Sequence, residues 1–379
     1  MALAHSALAI GSGLAQRARE TAHDLAPRLA TAKLADLPRG FGGHAGYAIA
    51  WLALHQDNPS QRYEQNWHAA MRSAATYSAN DSSIANGVAG LRAASALSLT
   101  SEPRYSDLRE KCDAHLTTAL SRDITLKTFS DYDVISGPAG ALAALALTPR
   151  ARAEFMTHRL AALAGDDAAL ALLHPLQKGT PVHDLGTAHG IFGLCAALAM
   201  HAELLDDTAR AAITDALRHA TREVDYVNGV AMLRPWREHA AMSPAQNAWC
   251  YGVPGAASAT LATAEALADN SLCEWALSAL RTLGLCDPDE ASENAGLCHG
   301  SAGIAICLLR AAQRDEGIQP MLTAYVEATI ERARLGQFDM ELGGDDVYNG
   351  PPGVIIALLT FAGSFTHDWV RLFTAAVPT

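Results

Sequence analysis

Hydrophobic positions along this chain fall into two kinds of segment that alternate. One kind carries a single apolar stripe at helical spacing, as in residues 5–33, where Leu8, Leu14, Ala18, Ala22, Leu25 and Leu29 recur. The same mixed pattern covers 61–79, 103–122, 150–164, 205–226, 270–285 and 317–335. The other kind is apolar nearly all round and rich in small residues, as in Leu91 to Leu99 and Ile304 to Ala312. A striped helix buries one side and is expected to face outward, whereas one that is greasy all round belongs to an inner layer. A short apolar segment, 365–376, ends the chain.

Each greasy run opens on Gly-x-x-Gly. The first glycines are Gly43, Gly87, Gly137, Gly190, Gly252, Gly300 and Gly350, with steps of 44, 50, 53, 62, 48 and 50 residues. A repeat of this length is one supersecondary unit stacked on its neighbours. Seven helix pairs can close on themselves and hide both ends, so an all-α fold is expected: an α/α toroid, a double ring of seven inner and seven outer helices, with 1–379 as a single domain. Closure would bring all seven loop sets to one rim around a central opening. Two intervals exceed what the repeat needs, His174 to Thr187 and Asn228 to Asn247. Long loops in compact domains are often functional, so both are expected at the rim, near the site.

Composition narrows the partners. The formal net charge is −12 and no basic run or basic-aromatic patch occurs, which argues against nucleic acid. No uninterrupted apolar run is long enough to span a membrane. Met1 to Leu14 is apolar but lacks a basic start and runs into Arg17, Arg19 and Glu20, so it reads as the beginning of an amphipathic helix. Seven cysteines, an odd number, favour a reducing, cytoplasmic compartment over a disulfide framework. Five of them, Cys112, Cys195, Cys273, Cys286 and Cys307, lie in helical apolar patterns and are expected to be small buried hydrophobes.

The remaining two carry the chemistry. One position before each first glycine stand Gly42, Asn86, Ser136, His189, Tyr251, His299 and Asn349, mostly polar although greasy helices follow. One position earlier again, only the fifth and sixth repeats have cysteine, Cys250 and Cys298. A ring puts equal registers side by side. Cys250, Cys298 and His299 therefore read as one zinc site, and three protein ligands leave a fourth position open, as in catalytic sites. A sulfur-rich site suits holding a thiol as its nucleophilic thiolate. His189 is either a fourth ligand or an acid/base group. Asp133 is either an acid/base group or a helix cap. Tyr251 either donates a proton or packs.

The combination Trp249-Cys250-Tyr251-Gly252-x-Pro254-Gly255, Cys298-His299-Gly300, Ala188-His189-Gly190 and Asp133-Val134-Ile135-x-Gly137 resembles the lanthionine synthetase C-like proteins, the LanC-type cyclases of lanthipeptide biosynthesis. The resemblance covers essentially the whole chain. It implies an α/α toroid with one zinc in its mouth, held by Cys250, Cys298 and His299. It also implies thioether formation, in which a cysteine of a dehydrated precursor peptide adds to a dehydroalanine or dehydrobutyrine of the same peptide. His189 and Asp133 are then the acid/base candidates, with Tyr251 beside the metal. The family often has arginine four residues before the first zinc cysteine; here that residue is Gln246, which leaves open either a different distribution of roles, with nearby Arg237 or Arg234 helping, or a slower or differently specialised enzyme. The chain is expected to act as a stand-alone cyclase, with a separate dehydratase or modification complex making the dehydro residues. The alternatives are a zinc thiol-binding protein without cyclase activity and a zinc enzyme similar to the β subunit of protein prenyltransferases. An aromatic content of 6% does not suit the lipid pocket of the second.

Overall fold

The computed structural model describes residues 10–32, 34–76, 81–99, 101–122, 125–147, 154–173, 175–176, 180–238, 247–339 and 344–377. In chain order the helices are α1 (Ser12–Thr31), α2 (His44–Asp57), α3 (Gln61–Ala74), α4 (Val88–Ser98), α5 (Ser106–Leu120), α6 (Pro138–Leu145), α7 (Glu154–Ala164), α8 (Asp167–Leu172), α9 (Ile191–Ala199), α10 (Asp207–Thr221), α11 (Val253–Leu267), α12 (Asn270–Arg281), α13 (Pro288–Ala291), α14 (Ser301–Arg314), α15 (Gln319–Leu335) and α16 (Pro351–Phe361). The helices behind the glycine motifs, α2, α4, α6, α9, α11, α14 and α16, each pack on the next, and α16 packs on α2. The inner layer is therefore a closed ring. Helices α1, α3, α5, α7, α10, α12 and α15 lie against it from outside. Both expected populations are present.

The glycine motif has a local cause. The first glycine of each pair is the N-cap of its inner helix. The second lies in the first turn, where the preceding loop crosses it. A Cβ on Gly255 would stand 1.9 Å from the Trp249 carbonyl oxygen, and one on Gly303 1.9 Å from that of Leu297. Gly252 alone among the seven caps has a positive φ, 135°, which side chains rarely tolerate.

The loops themselves form a second, smaller ring. Gly42 N–H donates to Ala85 O (2.9 Å), Ala85 N–H to Ile135 O (3.1 Å) and Val134 N–H to Ala188 O (3.1 Å). Ala188 N–H donates to Cys250 O (3.4 Å), Cys250 N–H to Cys298 O (3.4 Å), Cys298 N–H to Tyr348 O (2.9 Å) and Val347 N–H back to Gly42 O (3.2 Å). Every motif loop donates to the next in the same sense, so buried backbone groups that belong to neither helix nor sheet are satisfied.

The middle of the ring is not open. A 3-10 helix, Asp368–Phe373, packs on α4 and α6 with Trp369, Val370, Leu372 and Phe373 buried. Ala376 N–H donates to the Ser258 hydroxyl of α11 (3.1 Å). The terminal apolar segment thus fills the opening from within.

The long intervals, and the end of the segment 205–226 that was expected to be helix, hold strands, which the helical pattern did not anticipate. Helix α10 stops at Thr221, and β3 (Val224–Val227) pairs antiparallel with β4 (Val230–Leu233). Asn228 and Gly229 supply the two positive φ values (52° and 84°) that a tight hairpin turn requires. Ahead of it, β1 (Pro175–Leu176) pairs with β2 (Thr180–Pro181). The two intervals meet: Asp184 and Trp236 form a β-bridge, and Leu185 N–H donates to Pro235 O (2.9 Å). Of the five cysteines assigned to the core, Cys112, Cys195, Cys273 and Cys307 are buried and Cys286 is half-buried; all are free thiols.

Candidate metal and acid–base site

The loop ring places Cys250, Cys298 and His299 together. Their ligand atoms all lie within 4.8 Å of one another. Cys298 Sγ is 3.9 Å from His299 Nε2. Tetrahedral zinc, with bonds of about 2.3 Å to sulfur and 2.0 Å to nitrogen, separates its ligands by roughly 3.5–3.8 Å. The three atoms therefore need only a small contraction to hold such an ion, and their chemistry fits it. The hydrogen bond from Cys298 draws the Cys250 thiol pKa downward against burial, and His299 adds to the effect. The same contact, with burial, pushes Cys298 up. His299 is raised first by its contact with Cys250. Two sulfurs and an imidazole sharing protons in this way are a ready donor set for a divalent cation. The His299 Nδ1 faces Asp339 Oδ2 at 4.0 Å, and Asn349 reaches the same ring. Asn349 is held in turn by Asp346 (Nδ2 to Oδ2 3.1 Å). At that distance Asp339 acts on the imidazole through its charge, not through a hydrogen bond, and helps to raise the His299 pKa.

The second cluster surrounds His189. Its Nδ1 is 2.5 Å from Asp133 Oδ2, and Asp133 is fully buried whereas His189 is about a quarter exposed (27%). Asp133 is not a helix cap, since Gly137 caps α6; its Oδ1 instead closes the turn ahead of that helix, accepting from Ser136 N–H (2.7 Å) and Gly137 N–H (2.6 Å). One carboxylate thus serves two partners: one oxygen closes the turn and the other meets the histidine. Burial opposes the charged imidazole, yet the bond and charge of Asp133, with the charges of Asp184 and Cys250, outweigh it and raise the His189 pKa. Phe129 stands edge-on to the imidazole at 5.0 Å. Tyr251 lies between the clusters, 6.4 Å ring to ring from His189 and next in sequence to Cys250. His189 is outside the group that could hold a metal.

Two residues were missed. Asp184, buried, accepts the Tyr251 hydroxyl at 2.9 Å. Its only sequence sign was its place in the stretch leading to His189. Trp236, from the second long interval, stands edge-on to Tyr251 at 6.1 Å. The two arginines named as possible helpers are engaged elsewhere. Arg237 pairs with Asp167 and Glu223, both at 2.8 Å, and Arg234 faces Glu223 (3.7 Å) and Asp225 (3.8 Å). Gln246 lies outside the described residues.

The sequence pattern of the family described as "Lanthionine synthetase C-like protein" matches residues 41–333. The chain belongs to the lanthionine synthetase C-like family. Thirteen solved chains match the fold of this family member. Among them is one described as "Nisin cyclase", with a TM-score of 0.76 and 17% identity, covering 96% of this chain and 98% of that one. At that identity the likeness is one of fold. No curated protein matches the sequence. No helix among the described residues is long and apolar enough to cross a membrane.

Proposed function

We propose that this LanC-like chain, 1–379, is a zinc-dependent lanthipeptide cyclase acting in the cytoplasm. It would add peptide cysteine thiols to dehydroalanine or dehydrobutyrine and so form lanthionine and methyllanthionine rings. The observation that carries the reading is the meeting of two chemistries at one rim: a Cys/Cys/His donor set and, one repeat away, an Asp133–His189 pair. Family membership supports it.

Cys250, Cys298 and His299 would hold the zinc, which supplies a cation that lowers the pKa of a substrate thiol. Asp133 fixes the imidazole of His189, with Nδ1 directed at the carboxylate, and leaves Nε2 for the substrate. As the peptide sulfur bonds the β-carbon of the dehydro residue, the double-bond pair moves to the α-carbon. His189 Nε2 then delivers the proton that completes the saturated product. The raised pKa keeps that proton in place near neutral pH. The substrate would be a dehydrated precursor peptide supplied by a separate dehydratase.

The deciding experiment is incubation with a dehydrated precursor peptide. A cyclase removes free thiol at unchanged peptide mass. A thiol-binding protein would leave the thiols recoverable, and a prenyltransferase-like enzyme would leave the peptide untouched without a lipid donor.

A further inference from the structure

The Tyr251 phenol is held on three sides. Its hydroxyl is 2.9 Å from Asp184 Oδ2. Trp236 stands against its edge. Its ring also lies so close to Gly186 that a Cβ there would come within 2.6 Å of Tyr251 Cε1. Asp184 is itself fixed. Its Oδ1 accepts from Gly186 N–H at 2.7 Å, closing the turn, and its backbone is bridged to Trp236. Asn294 closes the corresponding turn of the sixth repeat by the same bond, to Gly296 N–H at 2.8 Å. A turn-closing residue here therefore needs only one side-chain oxygen. The second oxygen of Asp184 has a separate use, and Tyr251 occupies it.

We propose that Asp184 is a positioning residue that takes the Tyr251 hydroxyl hydrogen, so that the phenolic oxygen meets the substrate as a hydrogen-bond acceptor. An ionised carboxylate carries no hydrogen and can only accept, and the charge of Asp184 acts on both His189 and Tyr251. The phenol must then be the donor in the pair, and only lone pairs are left for a third group. Tyr251 is therefore not the proton source of the reaction. Beside Cys250 and within reach of His189, its oxygen suits an N–H donor, and a peptide substrate offers one at every residue but proline. This assignment rests on the cyclase reading for its purpose, though not for its geometry.

Asp184→Asn separates the two uses. The amide oxygen can still close the turn on Gly186, while the amide nitrogen turned toward Tyr251 donates instead of accepting. The vibrational doublet of tyrosine distinguishes a donating from an accepting phenol, and subtracting the Tyr251→Phe spectrum isolates this one. Wild type should show a strong donor and Asp184→Asn an acceptor; an unchanged Tyr251 signature, or an acceptor in wild type, overturns the assignment whether or not the chain cyclises anything. With a dehydrated peptide, Asp184→Asn should lower turnover about tenfold with zinc content retained. In a Tyr251→Phe background the same change should cost less than about twofold. Independent, multiplying losses would mean that Asp184 acts through something other than Tyr251 and would refute the positioning role. Absence of thioether formation by wild type would overturn the cyclase reading alone, because the spectra still decide the hydrogen-bond direction.

Discussion

The indole Nε1–H of Trp249 donates to the Phe373 carbonyl at 2.7 Å, and the two rings meet edge to face at 4.5 Å. The residue just before the first proposed metal cysteine is thus anchored to the segment that fills the ring. Phe373 also packs against Phe41, Tyr348 and Trp369. Loops one, five and seven are clamped from within at a single side chain.

Phe373→Ala should therefore destabilise the fold by about 3–5 kcal/mol, the cost of deleting a buried aromatic that its neighbours cannot replace. Denaturant unfolding measures this. Because Trp249 loses a packing partner, the variant should also release metal to a chelator faster than wild type. Phe373→Leu should recover much of both.

Purified protein should contain about one zinc per chain, and Cys298→Ala should lose it. A ring with so large an apolar core does not need a metal to fold, so circular dichroism of this variant should keep its helical signal. Full zinc content in a folded Cys298→Ala protein would place the metal elsewhere.

His189→Asn should keep zinc and helicity while slowing cyclisation roughly 10²-fold or more, the scale of lost general acid catalysis. Loss of zinc from that variant would instead mark His189 as a ligand.

The pH profile follows from the same pair. The His189 pKa lies above the ordinary value of about 6.5, so the proton-donating form persists above that pH and the rate should fall as pH climbs through the raised value. Asp133→Asn removes the charge that raises it, and the alkaline limb should move to lower pH. The sign for stability is the same. A histidine raised in the folded state adds stability that is complete below its unfolded pKa and fades as pH rises through its folded one. Thermal melts across that window should show the fade in wild type and not in His189→Asn.

Gly186→Ala tests how closely the site is packed. The added Cβ would meet Tyr251 Cε1 at 2.6 Å and the Cys250 carbonyl oxygen at 2.8 Å. One of these has to move, so cyclisation should drop at least about tenfold and metal should bind more weakly. Chelator competition and turnover measure the two effects. Unaltered turnover would mean that the position of Tyr251 is immaterial.

By itself, the sequence determined the parts that depend on neighbours along the chain. The stripe of α1 and the all-round greasiness of α16 follow from residue spacing, and the Gly-x-x-Gly motif from the loop that crosses each helix start a few residues earlier. Equal register in neighbouring repeats is enough to bring Cys250, Cys298 and His299 together. Tertiary structure decided what has no local pattern. The bond from Val347 to Gly42 that closes the loop ring joins opposite ends of the chain. The filling of the middle by Asp368–Phe373 depends on five repeats supplying one cavity. The hairpin at Asn228-Gly229 was hidden because a strand of four residues is too short to show a period against the helix before it. Asp184 escaped because its turn-closing oxygen looks the same in sequence whether or not the other oxygen has a partner, and that partner, Tyr251, comes 67 residues later.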